Sequence, residues 1–300
     1  MECGKNPVSP DILHNLTKYT IMWERVYGNK GIDYANKFIG LQNGGFAFCG
    51  YSMTHGDQSG DIWVCFLNQN GEVEIEKTYG GPLADNGKCI QELSADSFIL
   101  SGEYQSIITG ASNAVLLCLN SDGTKKWEKT LSDTLVTEAN FVTPTNDGGY
   151  VVVGRFAYEF PRSNDLSIIK TNQTGLIQWV KLFNETERDE AFSSLISADG
   201  NIVVAGRKGG VLTDVWLIKI TNEGKIVWKK TYPDGNDVHD MIQLVDHSII
   251  LCGTSISEEG YSNGWILKID ANGKIIWEGD NTIVLGGNKI SKSGTESDAW

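Results

Sequence analysis

The sequence predicts an all-β fold made of repeated four-stranded units, and three observations lead there. A hairpin glycine recurs at Gly71, Gly123, Gly175, Gly224 and Gly273, at spacings of 52, 52, 49 and 49 residues. An aromatic marker follows it as Trp127, Trp179, Trp228 and Trp277, with Ile75 after Gly71 and Trp23 as a further marker near the N-terminus. A second glycine closes another strand at Gly50, Gly102, Gly154, Gly206 and Gly253. A period of about 50 residues built from short strands and turns is the signature of a propeller or related array. No window sustains a 3.6-residue apolar period, and Gly or Asn-Gly interrupts the chain too often for helices.

Within a unit, the first strand starts at a polar residue: Asp33, Asp85, Thr137, Asp189 or Asp237. A turn such as Asn146-Asp147-Gly148-Gly149 leads into the second strand, here Tyr150 to Gly154. A polar loop precedes the third, typified by Asp214 to Lys219. The turn Thr221-Asn222-Glu223-Gly224 then delivers the fourth, Lys225 to Tyr232, with glycine where the backbone needs positive φ. Short antiparallel strands repeated in fours describe propeller blades.

Both ends fit the same frame. Ile21 to Tyr27 matches a fourth strand with no first three before it, and Ile283 to Gly287 matches a second strand. Asp298-Ala299-Trp300 stands eleven residues past Gly287, as Asp61-Ile62-Trp63 starts eleven past Gly50. A tail over 1–20 is therefore expected before a single domain over 21–300. Five complete blades fall at about 33–80, 85–132, 137–183, 189–232 and 237–280, with an incomplete sixth formed by 282–300 and 21–28. Five blades with a loose tail are the other arrangement.

Composition narrows the function classes. The chain of 300 residues is 40% hydrophobic, enough for a large core. Its formal charge is −13, spread along the chain, which disfavours phosphate backbones and argues against nucleic acid as a partner. No apolar run approaches the ~20 residues of a membrane helix. Cys3-Gly-Lys-Asn resembles the start of a bacterial lipoprotein after signal removal, so a lipid anchor at Cys3 stands beside an incidental cysteine. The six cysteines show no Cys-x-x-Cys pair. Cys49 and Cys252 share a place filled elsewhere by Ser101, Val153 and Ala205, so a small buried position is expected there, with Cys65, Cys89 and Cys118 buried in strands.

The repeat also carries a resemblance. Its pieces are Glu76-Lys77-Thr78-Tyr79-Gly80-Gly81, Asp189-Glu190-Ala191, Asn146 to Tyr150 and Asp214 to Lys219. Over roughly 21–300 they resemble bacterial propeller repeats related to the quinoprotein (PQQ-like) superfamily. The resemblance implies a scaffold on the non-enzymatic side of that superfamily, with an extracytoplasmic or surface address. It does not bring the quinone with it, because adjacent cysteines and enough blades are missing.

No catalytic constellation stands out. The chain lacks His-Glu-x-x-His and Gly-x-Ser-x-Gly, and Gly81 to Lys88 has the wrong spacing for a phosphate loop. Topology supplies the candidate sites. Links between units and loops after second strands emerge on one face, and loops on a rigid scaffold carry function. Tyr51, His55, Tyr104, Arg155, Tyr158, Arg207 and Tyr261 are the candidate contacts there. Asp33, Asp85, Asp189 and Asp237 are expected to ring the channel mouth, with Thr137 breaking the series. They could take calcium, which favours clustered oxygens, or attract a basic partner. Repetition favours the alternative, in which each aspartate accepts N–H groups of its own turn. Trp63, Trp216 and Trp265 lie inside strands and are expected in the core rather than stacked on sugars.

These readings point to a monomeric, non-catalytic propeller scaffold that binds a protein, peptide or glycan through the loop face. Apart from calcium no cofactor is expected. The alternative is a metal-assisted hydrolase or lyase using the channel-mouth carboxylates.

Overall fold

A computed structural model describes residues 23–280, apart from 57–58, 109, 132–135, 158–163, 211–212 and 258–259. Among the described residues, twenty strands form five four-stranded antiparallel sheets. The first holds β1 (Asp33–Gly40), β2 (Phe46–Ser52), β3 (Asp61–Leu67) and β4 (Val73–Tyr79). The second holds β5 (Asp85–Ser94), β6 (Ser97–Gln105), β7 (Ser112–Asn120) and β8 (Lys125–Thr130). The third holds β9 (Val136–Pro144), β10 (Tyr150–Ala157), β11 (Asn164–Thr171) and β12 (Ile177–Phe183). The fourth holds β13 (Glu190–Ile196), β14 (Ile202–Gly209), β15 (Thr213–Ile220) and β16 (Ile226–Tyr232). The fifth holds β17 (Asp237–Gln243), β18 (Ile249–Ile256), β19 (Ser262–Ile269) and β20 (Ile275–Asp280). Each sheet runs first strand to fourth in chain order, and consecutive sheets stack face to face through shared apolar clusters. This is the blade architecture of a β-propeller. Among the described residues no helix is long and apolar enough to cross a membrane.

First strands gather around a common axis. Lys37 on β1 pairs with Asp240 on β17 at 2.9 Å and lies over the Phe141 ring of β9, while Ser193 on β13 donates to Asp240. Every first strand carries a bulge at the same step, at Asn36, Lys88, Asn140, Phe192 and His239. The bulge pushes its strand against the second-strand glycine. A Cβ on Gly50, Gly102, Gly154, Gly206 or Gly253 would stand 1.8–2.3 Å from a first-strand carbonyl oxygen. The second recurrent glycine therefore exists because two backbones touch there. Two bulge residues also tie sheets together: Asn36 Nδ2 donates to Gly87 O, and Asn140 Nδ2 to Ala191 O.

The other two markers are partners across the sheet stack. The hairpin glycines all have φ between +73° and +81°. Their open Cα faces receive the fourth-strand aromatic of the preceding sheet: Trp127 on Gly175, Trp179 on Gly224, Trp228 on Gly273. Tyr79 and Tyr232 add hydroxyl bonds to the carbonyls of Gly123 and Gly273, at 2.5 and 2.8 Å. The segment before β1 repeats this contact. Trp23 lies on Gly71 and donates to Gln69 O at 3.2 Å, and Tyr27 donates to Gly71 O at 2.7 Å. Residues 23–27 thus sit where a preceding blade's fourth strand would lie, although they form no strand among the described residues. Residues 21–22 and 281–300, the rest of the expected sixth blade, lie outside the described residues, as does Cys3.

The core follows the expected strand faces. Trp63, Trp216 and Trp265 are 1–2% exposed, and Cys49, Cys65, Cys89 and Cys118 are buried. Cys252 departs from the expectation of a small buried position: it is exposed, because nothing among the described residues covers that flank of the fifth sheet. Three sheets add an ion pair from the third strand to the turn between first and second strands: Lys170–Asp147, Lys219–Asp199 and Lys268–Asp246. Lys170 is fully buried, so its partner matters most.

These aspartates make stability acid-sensitive. Burial alone would raise the pKa of Asp147 and Asp199, but bonds from Asn222, Thr145 and Lys170, and from Lys219 and Ser197, outweigh it and lower both well below 3.8. Asp246 is lowered to about 2, chiefly by Ser248. A depressed folded-state pKa contributes stability above the unfolded value and loses it as pH falls toward the folded one. The urea midpoint should stay flat from neutrality to about pH 5 and drop steeply between about pH 4 and 2. Asp147→Asn should be less stable at pH 7 and show a shallower acid fall; an unchanged acid limb would sink the assignment.

Candidate functional site

The loops after second strands and the links between sheets meet on one face, as in the bonds Asp85 N to Gly60 O and Asn164 N to Glu187 O. There the register places cross-strand pairs around the axis: Tyr34 with Tyr51, Asn86 with Glu103, Glu138 with Arg155, Glu190 with Arg207, and Asp237 with Thr254. Each pair sits beside the bulge and its glycine, which fixes its direction and leaves little room to slip.

Charge runs along one arc of this mouth. Lys88 holds Glu103 at 2.9 Å, Arg155 bonds Glu138, and Arg207 joins Glu190 at 2.9 Å to Asp237 at 3.0 Å. Burial works against the Arg155 charge, but the bond and charge of Glu138 raise its pKa further. Bound to each other, these groups form a stiff rim of nearly balanced charge.

The remaining arc is different. A cavity of about 430 Å³ opens between the first and second sheets, lined by Tyr34, Tyr51, Asn86, Glu103, Gln105 and Ser112 among others. Tyr34 and Tyr51 stack with centroids 5.2 Å apart and planes 18° from parallel. Gly60 packs against the Tyr51 hydroxyl end, so Tyr51 is held while Tyr34 stays 43% exposed. Asn86 Nδ2 donates to the Tyr34 hydroxyl, and its Oδ1 accepts from Asn36. The carboxylates here already have partners: Glu103 has Lys88, and Asp85 accepts from the N–H groups of Gly81 and Gln105. What the cavity offers a ligand is an aromatic face bordered by amides and a hydroxyl.

The structure disperses several residues expected together. Tyr51 lies in the cavity, and Arg155 and Arg207 belong to the charged rim. His55 stacks on Trp63 at 5.4 Å and hydrogen-bonds Ser52 Oγ, which is a packing position. Tyr104 packs between the first two sheets and donates to Glu128. Tyr261 is 71% exposed on the fifth sheet, away from the cavity, and Tyr158 lies outside the described residues.

Three of the aspartates are occupied by their own links, and Asp33 and Asp85 also by the loop after the second strand. Asp33 accepts from Ser52, Thr54 and the N–H of Asn29; burial would raise its pKa, but these bonds bring it to about 2. Asp189 accepts from Glu185 N and from Thr186, and Thr137 Oγ1 accepts from Ala114 N. The residue that continues the series is Asn236, seventeen before its glycine like Asp33, Asp85, Thr137 and Asp189; it accepts from Thr213. Asp237 stands one step further in, level with Glu190, which explains its bond to Arg207. No group of three or more His, Cys, Asp or Glu could hold a metal ion among the described residues.

Tyr34, Glu103, Glu138 and Glu190 escaped the sequence reading. The usable signal was the constant distance between the first-strand polar residue and the second-strand glycine, which fixes the register and so pairs each residue beside one with a residue beside the other.

No protein-family model matches the chain, and no curated protein matches its sequence. Solved structures resemble it in fold at low identity. A glucose dehydrogenase aligns with a TM-score of 0.49 and 10% identity, over 83% of this chain and 87% of its own. A thermostable family-43 glycoside hydrolase aligns with a TM-score of 0.46 and 9% identity, over 91% of this chain and 100% of its own. A protein of unknown function from Bacteroides caccae gives 0.43 and 11%, over 74% and 90%.

Proposed function

We propose that the protein is a non-catalytic propeller scaffold that binds a neutral saccharide at the cavity between its first and second sheets. The observation that carries this reading is the Tyr34–Tyr51 stack, two rings that both line a 430 Å³ space bordered by amide and hydroxyl groups. Sugars present C–H faces to aromatic rings and hydroxyls to amides, and pockets of this size commonly hold small ligands. A cationic peptide is the less suitable ligand, because Glu103 is already paired with Lys88. On this reading the relation to quinoprotein-type propellers is one of scaffold, not of cofactor. The hydrolase alternative needs converging carboxylates, whereas Asp33, Asp85 and Asp189 each accept the N–H of a residue four before them in their own link.

The test is calorimetric titration with glucose, galactose, mannose, xylose and their disaccharides, with an oligolysine peptide alongside. At least one sugar should bind, and Tyr34→Ala should weaken it about tenfold or more with little change in melting temperature. Heat from the peptide alone, or equal sugar affinity in the variant, would reject the reading. Heat from calcium would favour the metal-assisted alternative.

A further inference from the structure

We infer that the cavity takes a glycoside with an apolar aglycone, an assignment that rests on the saccharide reading and narrows its class. The sugar lies against Tyr34 and Tyr51, and the aglycone runs outward over Ile32 to Ile107 and Ile108. The cavity is graded from floor to mouth. Tyr34 and Asn86 stand two residues before the bulges at Asn36 and Lys88. Ile32 and Ala84 also line the cavity and stand four before the same bulges, in the links that precede β1 and β5. The polar groups of Asn86 and Glu103, paired across the second sheet, therefore sit deeper than these two apolar side chains. Ile32 is 60% exposed.

The loop after β6 continues the apolar mouth. It joins Gln105 to Ser112, and both of these residues line the cavity. Its base is closed by Ser106 N to Ala111 O at 2.8 Å and Gly110 N to Ser106 O at 2.7 Å, while Gln105 Nε2 donates to Gly110 O. This closed base carries Ile107 and Ile108, which are 70% and 90% exposed. Ile108 is three residues from Gln105, a span of at most ~10 Å, so both isoleucines stand within reach of a ligand leaving the cavity. The loop does not need them for its own fold. In the fifth sheet the loop after β18 is closed in a similar way, by Ser257 N to Tyr261 O and Gly260 N to Ser257 O, both 2.9 Å. The sequence there is Glu258-Glu259. Single exposed apolar residues need no explanation, whereas adjacent ones beside an apolar cavity mouth mark a contact surface. An anionic membrane is the less suitable partner, because the chain carries a formal charge of −13.

Calorimetric titration compares methyl and octyl glycosides of glucose, galactose, mannose and xylose, the octyl compounds below their micelle concentrations. For at least one sugar the octyl glycoside should bind about tenfold or more tightly than the methyl glycoside. The double variant Ile107→Ser/Ile108→Ser should bring octyl affinity to within about threefold of methyl, with methyl binding and melting temperature unchanged. Tyr34→Ala should weaken both glycosides alike, by about tenfold. Equal binding of methyl and octyl glycosides by the unaltered protein overturns the inference and leaves the saccharide reading standing; that comparison needs no variant. An octyl preference that survives the double variant also overturns it, because the aglycone then lies elsewhere. No binding of any glycoside rejects the saccharide reading and the inference with it. Retention on phosphatidylcholine vesicles that carry no sugar, lost in the double variant, overturns the inference by assigning the isoleucines to a lipid surface.

Discussion

Gly206→Ala is expected to destabilise the protein by about 3 kcal/mol, although it adds a single methyl group. Gly206 has no positive φ to explain it. Its constraint is space: a Cβ would stand 2.0 Å from the Glu190 carbonyl oxygen and 2.9 Å from Ala191 Cα. Both are backbone atoms of the bulged strand, so no side-chain rotation relieves the clash. The sheet must either open the Ala191–Gly206 pairing or flatten the bulge at Phe192. Either response moves Glu190 and Arg207 at the mouth and Ala205 in the core behind it. With a urea dependence of about 3 kcal/mol per M, the midpoint should fall by about 1 M. Gly40→Ala is the matched control, since nothing lies within 4 Å of a Cβ built there; it should change stability by less than about 0.5 kcal/mol. A loss below about 1 kcal/mol in Gly206→Ala would show that the bulge yields, and that the glycine recurs for some other reason.

The same glycine shows why the fold was legible and the site was not. Fold signals are repeated: Gly50, Gly102, Gly154, Gly206 and Gly253 stand out because one steric need arises once per sheet. The hairpin glycines and tryptophans recur as a contacting pair for the same reason, as Trp179 does on Gly224. The proposed binding site lies where the repeat is broken. Tyr34 occupies the place that holds Asn86, Glu138, Glu190 and Asp237 in the other sheets, and Tyr51 the place of Glu103, Arg155, Arg207 and Thr254. Such departures carry no periodicity, so only the register reveals that two of them face each other. The aspartates recur, and recurrence is what a turn requires: Asp33 and Asp189 each collect the N–H groups of their own link. His55 and Tyr104 looked accessible from loop position alone, whereas one stacks on Trp63 and the other reaches Glu128 between sheets.

Trp216→Ala is expected to be the most damaging side-chain truncation, with a loss of about 4 kcal/mol. Trp216 is 1% exposed and meets Phe183 edge to face at 5.8 Å, within a cluster that joins Val153, Leu166 and Ile168 of the third sheet to the fourth. Truncation removes most of that contact at once. The neighbours belong to two separate hydrogen-bonded ladders, so they cannot slide together to fill the space, and the cavity term remains. Lys208 and Lys229 also lie over the ring, at 5.1 and 5.7 Å, and would lose that contact. Trp216→Phe keeps an aromatic edge for Phe183 and should lose about half as much. Urea unfolding measures the loss, and titration with a sugar at the proposed Tyr34 site separates the two roles a tryptophan can have here. If Trp216 is core, binding per folded molecule stays unchanged at low temperature while the midpoint falls. If the repeated tryptophans were themselves sugar platforms, the order would reverse: binding would drop and the midpoint would hold. That result would require Trp63 and Trp265 to leave the core as well, which contradicts their exposure of 2% and 1%.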